Sequence, residues 1–145
     1  MRPPAGPNVT QTVPLLCVKD MTTALEFYVE GLGFTVKNQW TPEHPERIQW
    51  CWLQLGSAAL MLQEINAEHS MSGAERGVGI TVYFMCTDAL AIYRDALTKG
   101  LAAKQPFVGN TLWVVSFTDP DGYHVAFESP TDVAEDTQYD PAIHG

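Results

Sequence analysis

The apolar positions in the first half of the chain change from strand spacing to helical spacing and back. Residues 12–20 form a β-branched and aliphatic run that predicts a strand. The next apolar positions recur at helical spacing, and either Asp20 or Thr22 can cap the start of this helix. They are Ala24, Leu25, Phe27, Tyr28 and Leu32. Strand spacing then returns over residues 34–40, 48–56 and 58–64, and the last two predict a hairpin.

The second half of the chain repeats this order about 68 positions later. A strand over residues 80–88 leads into a helix that begins at Asp88 and ends at Gly100. Three further strands are predicted, over residues 102–108, 111–119 and 123–129. Each βαβββ half is too small to bury its sheet face alone. The sequence therefore predicts an α+β fold in which two βαβββ modules form a cupped mixed sheet with helices on the outside.

The segments between and beside the halves define the expected domain organisation. Residues 1–11, with three prolines, predict a flexible leader. Residues 12–130 are expected to form a single domain, with modules at 12–65 and 79–130 and a polar linker at 66–78. Residues 131–145 form an acidic tail.

Composition narrows the class of protein. A chain of 145 residues with 46% hydrophobic residues can bury a real core. A net charge of -9 with eight Lys and Arg argues against binding nucleic acid or an anionic membrane. No segment looks like a signal peptide or a membrane span. Cys17, Cys51 and Cys86 form no CxxC pair, and we expect each to pack as a small apolar residue. An odd number of cysteines suits a reducing compartment, so we also expect a cytoplasmic location.

Three segments resemble the vicinal oxygen chelate superfamily, which includes glyoxalase I, bleomycin-resistance proteins and extradiol dioxygenases. They are VPLLCVKDMTTALEFYVEGLGF (13–34), TDALAIYRDALTKG (87–100) and FTDPDGYHVAFES (117–129). The resemblance covers roughly residues 12–130. It implies paired βαβββ modules, a cup that commonly involves a second subunit, and, in metal-dependent members, four ligands that point into the cup.

The positions that the resemblance assigns to those ligands carry other residue types. They fall on Val13, on Met61, on Thr81 (or Tyr83 if the loop differs by two residues) and on Ala126, and none is a His or a carboxylate. His124 and Glu128 flank the fourth position on the same strand face, but about 13 Å of strand separates their Cα atoms. Because both would need to lie about 2 Å from one ion, we expect no metal and no other cofactor. The chain looks closest to the metal-free, bleomycin-resistance-like members.

Strand alternation gives a candidate lining for the cup. The candidates are Trp50, Trp52, Met61, Gln63, Thr81, Tyr83, Trp113, His124 and Glu128. The sequence leaves open which face of its strand each tryptophan occupies, and it assigns no catalytic residue. A mostly apolar lining with a few polar groups is typical of a pocket for a small organic molecule.

The sequence leaves three functions open. The first is a metal-independent, resistance or sequestration type protein that binds a small cationic or aromatic molecule and forms a homodimer. The alternative is a lyase, isomerase or dioxygenase of the same superfamily with an atypical or metal-free active site, in which His124 would act with Glu128 or Tyr83. A third reading, a purely structural module, would fill the cup with its own side chains.

Overall fold

The computed structural model describes residue 6 and residues 8–65 and 76–145. Most of the predicted leader (1–11) and linker (66–78) therefore lies outside the described residues. The first module contains β1 (Leu15–Val18), α1 (Met21–Leu25), β2 (Thr35–Trp40), β3 (Trp50–Leu55) and β4 (Ala58–Glu64). The second contains β5 (Thr81–Met85), α2 (Ala89–Thr98), β6 (Phe107–Gly109), β7 (Leu112–Thr118) and β8 (His124–Pro130), and a short α3 (Pro141–His144) follows.

The two modules have the same topology. The strands form two four-stranded sheets, ordered β1-β4-β3-β2 and β5-β8-β7-β6. In each sheet the first strand runs parallel to the last strand of its module, and the other neighbours are antiparallel. The α+β class and the repeated βαβββ unit predicted from the sequence are confirmed.

The helices begin where the sequence placed their caps. Asp20, rather than Thr22, caps α1 by accepting a hydrogen bond from the backbone N–H of Thr23 at 3.2 Å. Asp88 caps α2 in the same way through Ala91. Beyond α1 the chain widens into a π-helical segment, Glu26–Gly31. The apolar spacing of this stretch did not distinguish a π-helical from an α-helical turn.

One face of each sheet packs into a core that both modules share. On β8, Val125 and Phe127 are buried, whereas His124 on the alternate face is exposed. Six aromatic side chains from both modules pack in a closed cycle, which we call the aromatic cluster. The ring centroids of neighbouring members are 4.9–6.5 Å apart. Its members are Phe27, Tyr28 and Phe34 from the first module and Phe84, Phe117 and Phe127 from the second.

The β7–β8 turn also ties the two modules together. The buried carboxylate of Asp119 accepts a hydrogen bond from the Tyr28 hydroxyl at 2.7 Å and from the backbone N–H groups of Asp121 and Tyr123 at 2.9 and 2.8 Å. Tyr123 donates its hydroxyl proton to the carbonyl of Cys17 at 2.9 Å, and Asp121 accepts from the N–H of Lys19 at 2.8 Å. The turn of the second module thus contacts both β1 and the π-helical segment of the first module.

Burial shifts the acid–base behaviour of this turn. It raises the pKa of the Asp119 carboxyl above its ordinary value, although the hydrogen bonds from Tyr28, Tyr123 and Asp121 act in the opposite direction. Burial, together with the neighbouring Asp119 carboxylate, also raises the pKa of Tyr28, so this side chain stays a hydrogen-bond donor. The contact between Tyr28 and Asp119 is therefore a hydrogen bond rather than an ion pair.

The acidic tail runs along the outer edge of β6. The backbone N–H of Val108 donates to the carbonyl of Thr137, and its carbonyl accepts from the N–H of Asp136, both at 2.9 Å. Tyr139 is buried with its ring centroid 5.2 Å from that of Tyr93 and 6.3 Å from that of Trp113. The tail is thus part of the packed structure. Among the described helices, none is long and apolar enough to cross a membrane.

Candidate ligand-binding face

The first sheet presents a row of aromatic and polar side chains on the face opposite the core. Trp50 pairs across the ladders with Trp40 on β2 and with Gln63 on β4, which in turn pairs with Cys17 on β1. Paired residues lie on the same face of a sheet. This row therefore crosses all four strands.

A second row lies beside the first on the same face. Trp52 pairs with Asn38 and Met61, and Met61 pairs with Leu15. The intervening Cys51 is fully buried on the core side, where burial raises its pKa to about 11. The face that the sequence left open for Trp50 and Trp52 is therefore the one away from the core. We call these two rows the tryptophan face.

The second sheet presents a corresponding but more polar face. Tyr83 pairs with Ala126, and Thr81 pairs with His124, whose Nδ1 lies 3.3 Å from the Thr118 hydroxyl oxygen. Glu128 lies further along β8 and pairs with Met85. We call this surface the tyrosine face. It contains four of the candidates from the sequence: Thr81, Tyr83, His124 and Glu128.

Trp113 does not belong to either face. It pairs with Ser129 on β8 and with Val108 on β6, and only 6% of its surface is exposed. Its ring centroid lies 5.0 Å from that of His144 in the tail. Because β7 alternates, Trp113 points to the shared core, and its inclusion in the cup lining is corrected. Sequence reasoning missed Trp40 instead. The pairing register shifts between Val36 and Asn38, so simple alternation from the core-facing Val36 places Trp40 on the wrong face.

Both candidate faces are exposed in the single chain. Of the side chains on the tryptophan face, Leu15 is 47% and Trp40 is 53% exposed. On the tyrosine face, Tyr83 is 55% and Met85 is 65% exposed. The modules pack through their opposite, core-facing sides, so one chain leaves both surfaces to solvent.

The residues on these faces do not fit the divalent ion of metal-dependent relatives. Met61 offers only a thioether, Thr81 only a hydroxyl, and Val13 and Ala126 offer no donor atom in their side chains. Within residues 8–65 and 76–145, no three His, Cys, Asp or Glu side chains come together as a metal-binding group. His124 and Glu128 pair with β5 residues that are four positions apart, so they lie at separate points along the strand.

A cavity of about 480 Å³ lies at one end of the tryptophan face. The cavity lies between the end of β2 and the start of β3, next to the last residues of β4. It is lined by Trp40, Pro42, Glu43, Gln49, Gln63, Glu64 and Ile65. Of the candidates from the sequence, it contains Gln63. We call it the Trp40 pocket.

The fold, two βαβββ modules that each form a four-stranded sheet, is that of one known class of protein. Residues 9–127 match the family model described as the Glyoxalase/Bleomycin resistance protein/Dioxygenase superfamily. The match covers most of the chain, and the chain belongs to this superfamily. A search among proteins of curated function found no match.

Solved structures agree on the fold. A bleomycin-binding protein complexed with bleomycin is 18% identical with a TM-score of 0.62, over 85% of this chain and 100% of that one. TioX from Micromonospora sp. ML1 is 17% identical with a TM-score of 0.66, over 84% and 100%. TnmS3, an antibiotic binding protein from Streptomyces sp. CB03234, is 22% identical with a TM-score of 0.61, over 84% and 98%. At these identities the likeness establishes the fold.

Proposed function

We propose that this chain is a metal-independent protein that binds a small organic molecule, in the manner of resistance or sequestration proteins. One observation carries the proposal: three tryptophans, Trp40, Trp50 and Trp52, share one solvent-facing sheet surface. The positions that correspond to the metal ligands of metal-dependent relatives carry neither a His nor a carboxylate. Large aromatic side chains supply binding surface with few rotatable bonds. Two proteins of the same fold are a bleomycin-binding protein and the antibiotic binding protein TnmS3.

The charge of the chain favours a cationic or aromatic ligand. The net charge of -9 attracts cations at long range. Indole rings bind both flat aromatic groups and cations, the latter by about 0.5–2 kcal/mol per contact. Gln63 and Glu128 supply polar groups that can orient such a ligand.

A titration of tryptophan fluorescence tests the proposal. Metal-free bleomycin and a panel of flat aromatic antibiotics would be added to the protein in the presence of a chelator. We expect saturable quenching by at least one of them, without chemical change of the ligand. Trp52→Ala should weaken that binding about 30-fold, because central aromatic contacts contribute about 2 kcal/mol.

Trp113→Phe is the matched control, because Trp113 lies in the core and should not affect affinity. Equal affinities of Trp52→Ala and the wild type would contradict the assignment of the face. Stoichiometric metal in protein purified without chelator, or turnover of the bound compound, would favour the alternative of an enzyme.

We also propose that the working form is a cytoplasmic homodimer in which the tryptophan face of one copy meets the tyrosine face of the other. Within one chain the two faces lie on the outer sides of a shared core, so a closed cup needs a second copy. Exposed apolar side chains such as Leu15, Tyr83 and Met85 make each face suitable for burial. Three free cysteines are consistent with a reducing compartment.

Light scattering after gel filtration tests the dimer. We expect the wild type to have twice the 16.0 kDa mass of one chain. Met85→Glu should produce monomers, because it places a second carboxylate beside Glu128, with which Met85 pairs, in the proposed interface. Leu97→Glu is the control, since Leu97 is 44% exposed on α2, away from both faces. A wild-type protein of single-chain mass would contradict the dimer.

A further inference from the structure

The Trp40 pocket offers a ligand an aromatic surface and hydrogen-bond acceptors. The amide nitrogen of Gln63 donates to the carbonyls of Gln49 and Glu64 at 3.1 and 3.4 Å. A glutamine amide has two N–H groups, so both are engaged and the side-chain oxygen remains as an acceptor. Gln49 likewise donates to the carbonyl of Glu64 at 3.4 Å.

The two carboxylates of the pocket have different roles. Glu64 accepts a hydrogen bond from the backbone N–H of Met21 at 2.8 Å, and its other oxygen pairs with Arg47 at 3.1 Å. Its charge is therefore compensated within the protein. Glu43 is exposed at the pocket wall and, among the described residues, has no cationic side chain within 4 Å. Within the part of the chain that the structure describes, Glu43 is thus a pocket carboxylate without an ion-pair partner, and Trp40 lines the same pocket.

We infer that the Trp40 pocket binds a planar cationic group, a guanidinium or amidinium, of an aromatic ligand whose body lies on the tryptophan face. Such a group carries several N–H donors, which suit the acceptors of Gln63 and Glu43. It also stacks on an indole ring and is more weakly hydrated than an ammonium ion. The inference rests on the proposed function, because it names the chemistry of one end of the same binding face.

The volume of the pocket agrees with this ligand class. About 480 Å³ is enough for a small planar head group with part of its linker, but the tryptophan face continues beyond it along Trp50 and Trp52. The ligand would therefore have its charge at the β2–β3 corner and its aromatic part towards β1 and β4.

Two probes that differ in charge but not in shape test the inference. Calorimetry would compare 2-naphthylmethylguanidinium with its neutral isostere 2-naphthylmethylurea on the full chain. We expect the guanidinium to bind at least about fivefold more tightly to the wild type. Glu43→Gln should remove about that fivefold preference and leave the affinity for the urea within about twofold.

Glu30→Gln is the matched control, because it removes one negative charge from an exposed position on the π-helical segment. It should leave both affinities within about twofold of the wild type, which separates a local contact from the effect of net charge. Trp40→Leu should weaken the guanidinium about fivefold through loss of the cation–π contact.

The inference is overturned if Glu43→Gln and Glu30→Gln behave alike, if the two probes bind equally, or if neither binds at millimolar concentration. Each of these results leaves the broader proposal to be judged separately. Antibiotic quenching that depends on Trp52 would show that the face binds ligands even if this pocket does not take a cation.

Discussion

Replacing Asp119 with alanine should lower the free energy of unfolding by about 3 kcal/mol. The substitution leaves the Tyr28 hydroxyl and the N–H groups of Asp121 and Tyr123 without their acceptor. A buried donor that loses its partner costs about 1–3 kcal/mol, and partial rehydration reduces the sum. Urea unfolding followed by circular dichroism measures the difference, and the melting temperature should fall by about 10 °C.

Two companion variants show whether the effect comes from this contact. Tyr28→Phe removes one donor and leaves Asp119 with its two backbone partners, so a loss of about 1 kcal/mol is expected. Asp95→Ala removes a carboxylate that pairs with Lys99 on the exposed surface of α2 and should change stability by less than about 0.5 kcal/mol. If Asp119→Ala is as stable as Asp95→Ala, the turn does not hold the modules together.

The second large effect is expected at Phe127. Its ring stacks on Phe84 with centroids 5.1 Å apart and meets Phe117 edge-on at 6.0 Å. Phe127→Ala should therefore destabilise the protein by about 4 kcal/mol, because it opens a cavity in the core that both modules share. Equilibrium unfolding should remain a single transition, since the aromatic cluster contains residues of both modules.

Phe107 provides the control for this substitution. It lies on β6 with 39% of its surface exposed, on the side of the sheet opposite Phe127. Phe107→Ala, compared at the same low protein concentration, should cost less than about 1 kcal/mol. A loss as large as that of Phe127→Ala would show that the exposed face, rather than the shared core, dominates stability.

The sequence was most informative where local chemistry decides the structure. The helix caps at Asp20 and Asp88 and the β7–β8 turn follow from residue types with few alternatives. The topology followed from the repeat, since neither module can bury its sheet alone. These features depend on contacts within a few residues or on a pattern that occurs twice.

The face of Trp113 was left open because the first four residues of β7, Leu112–Val115, are all apolar. Only Ser116 and Thr118, further along the strand, mark the opposite face as the more polar one. The turn contained the missing information: Thr118 pairs with His124 across it, and this register places Trp113 opposite Ser129 on the core side. The pairing of the two strands therefore adds to the weak signal from the pattern of β7 alone.

The packing of one module on the other was beyond the local pattern. Helical spacing identified Phe27 and Tyr28 as apolar positions but could not indicate that they meet Phe117 and Asp119, about ninety positions later. The same applies to the Trp40 pocket, whose walls come from β2, β4 and the segment before β3. Such sites form only when distant segments come together.

The tail along β6 affects how copies of this chain can associate. An unpaired strand edge is a template on which another chain can add its own strand, and such growth has no natural end. Here the hydrogen-bonding groups of Val108 are already taken by Asp136 and Thr137. Because the chain supplies its own partner for this edge, open-ended polymerisation through β6 is blocked. The proposed dimer uses side-chain surfaces rather than this edge, and such surfaces can close on themselves after two copies.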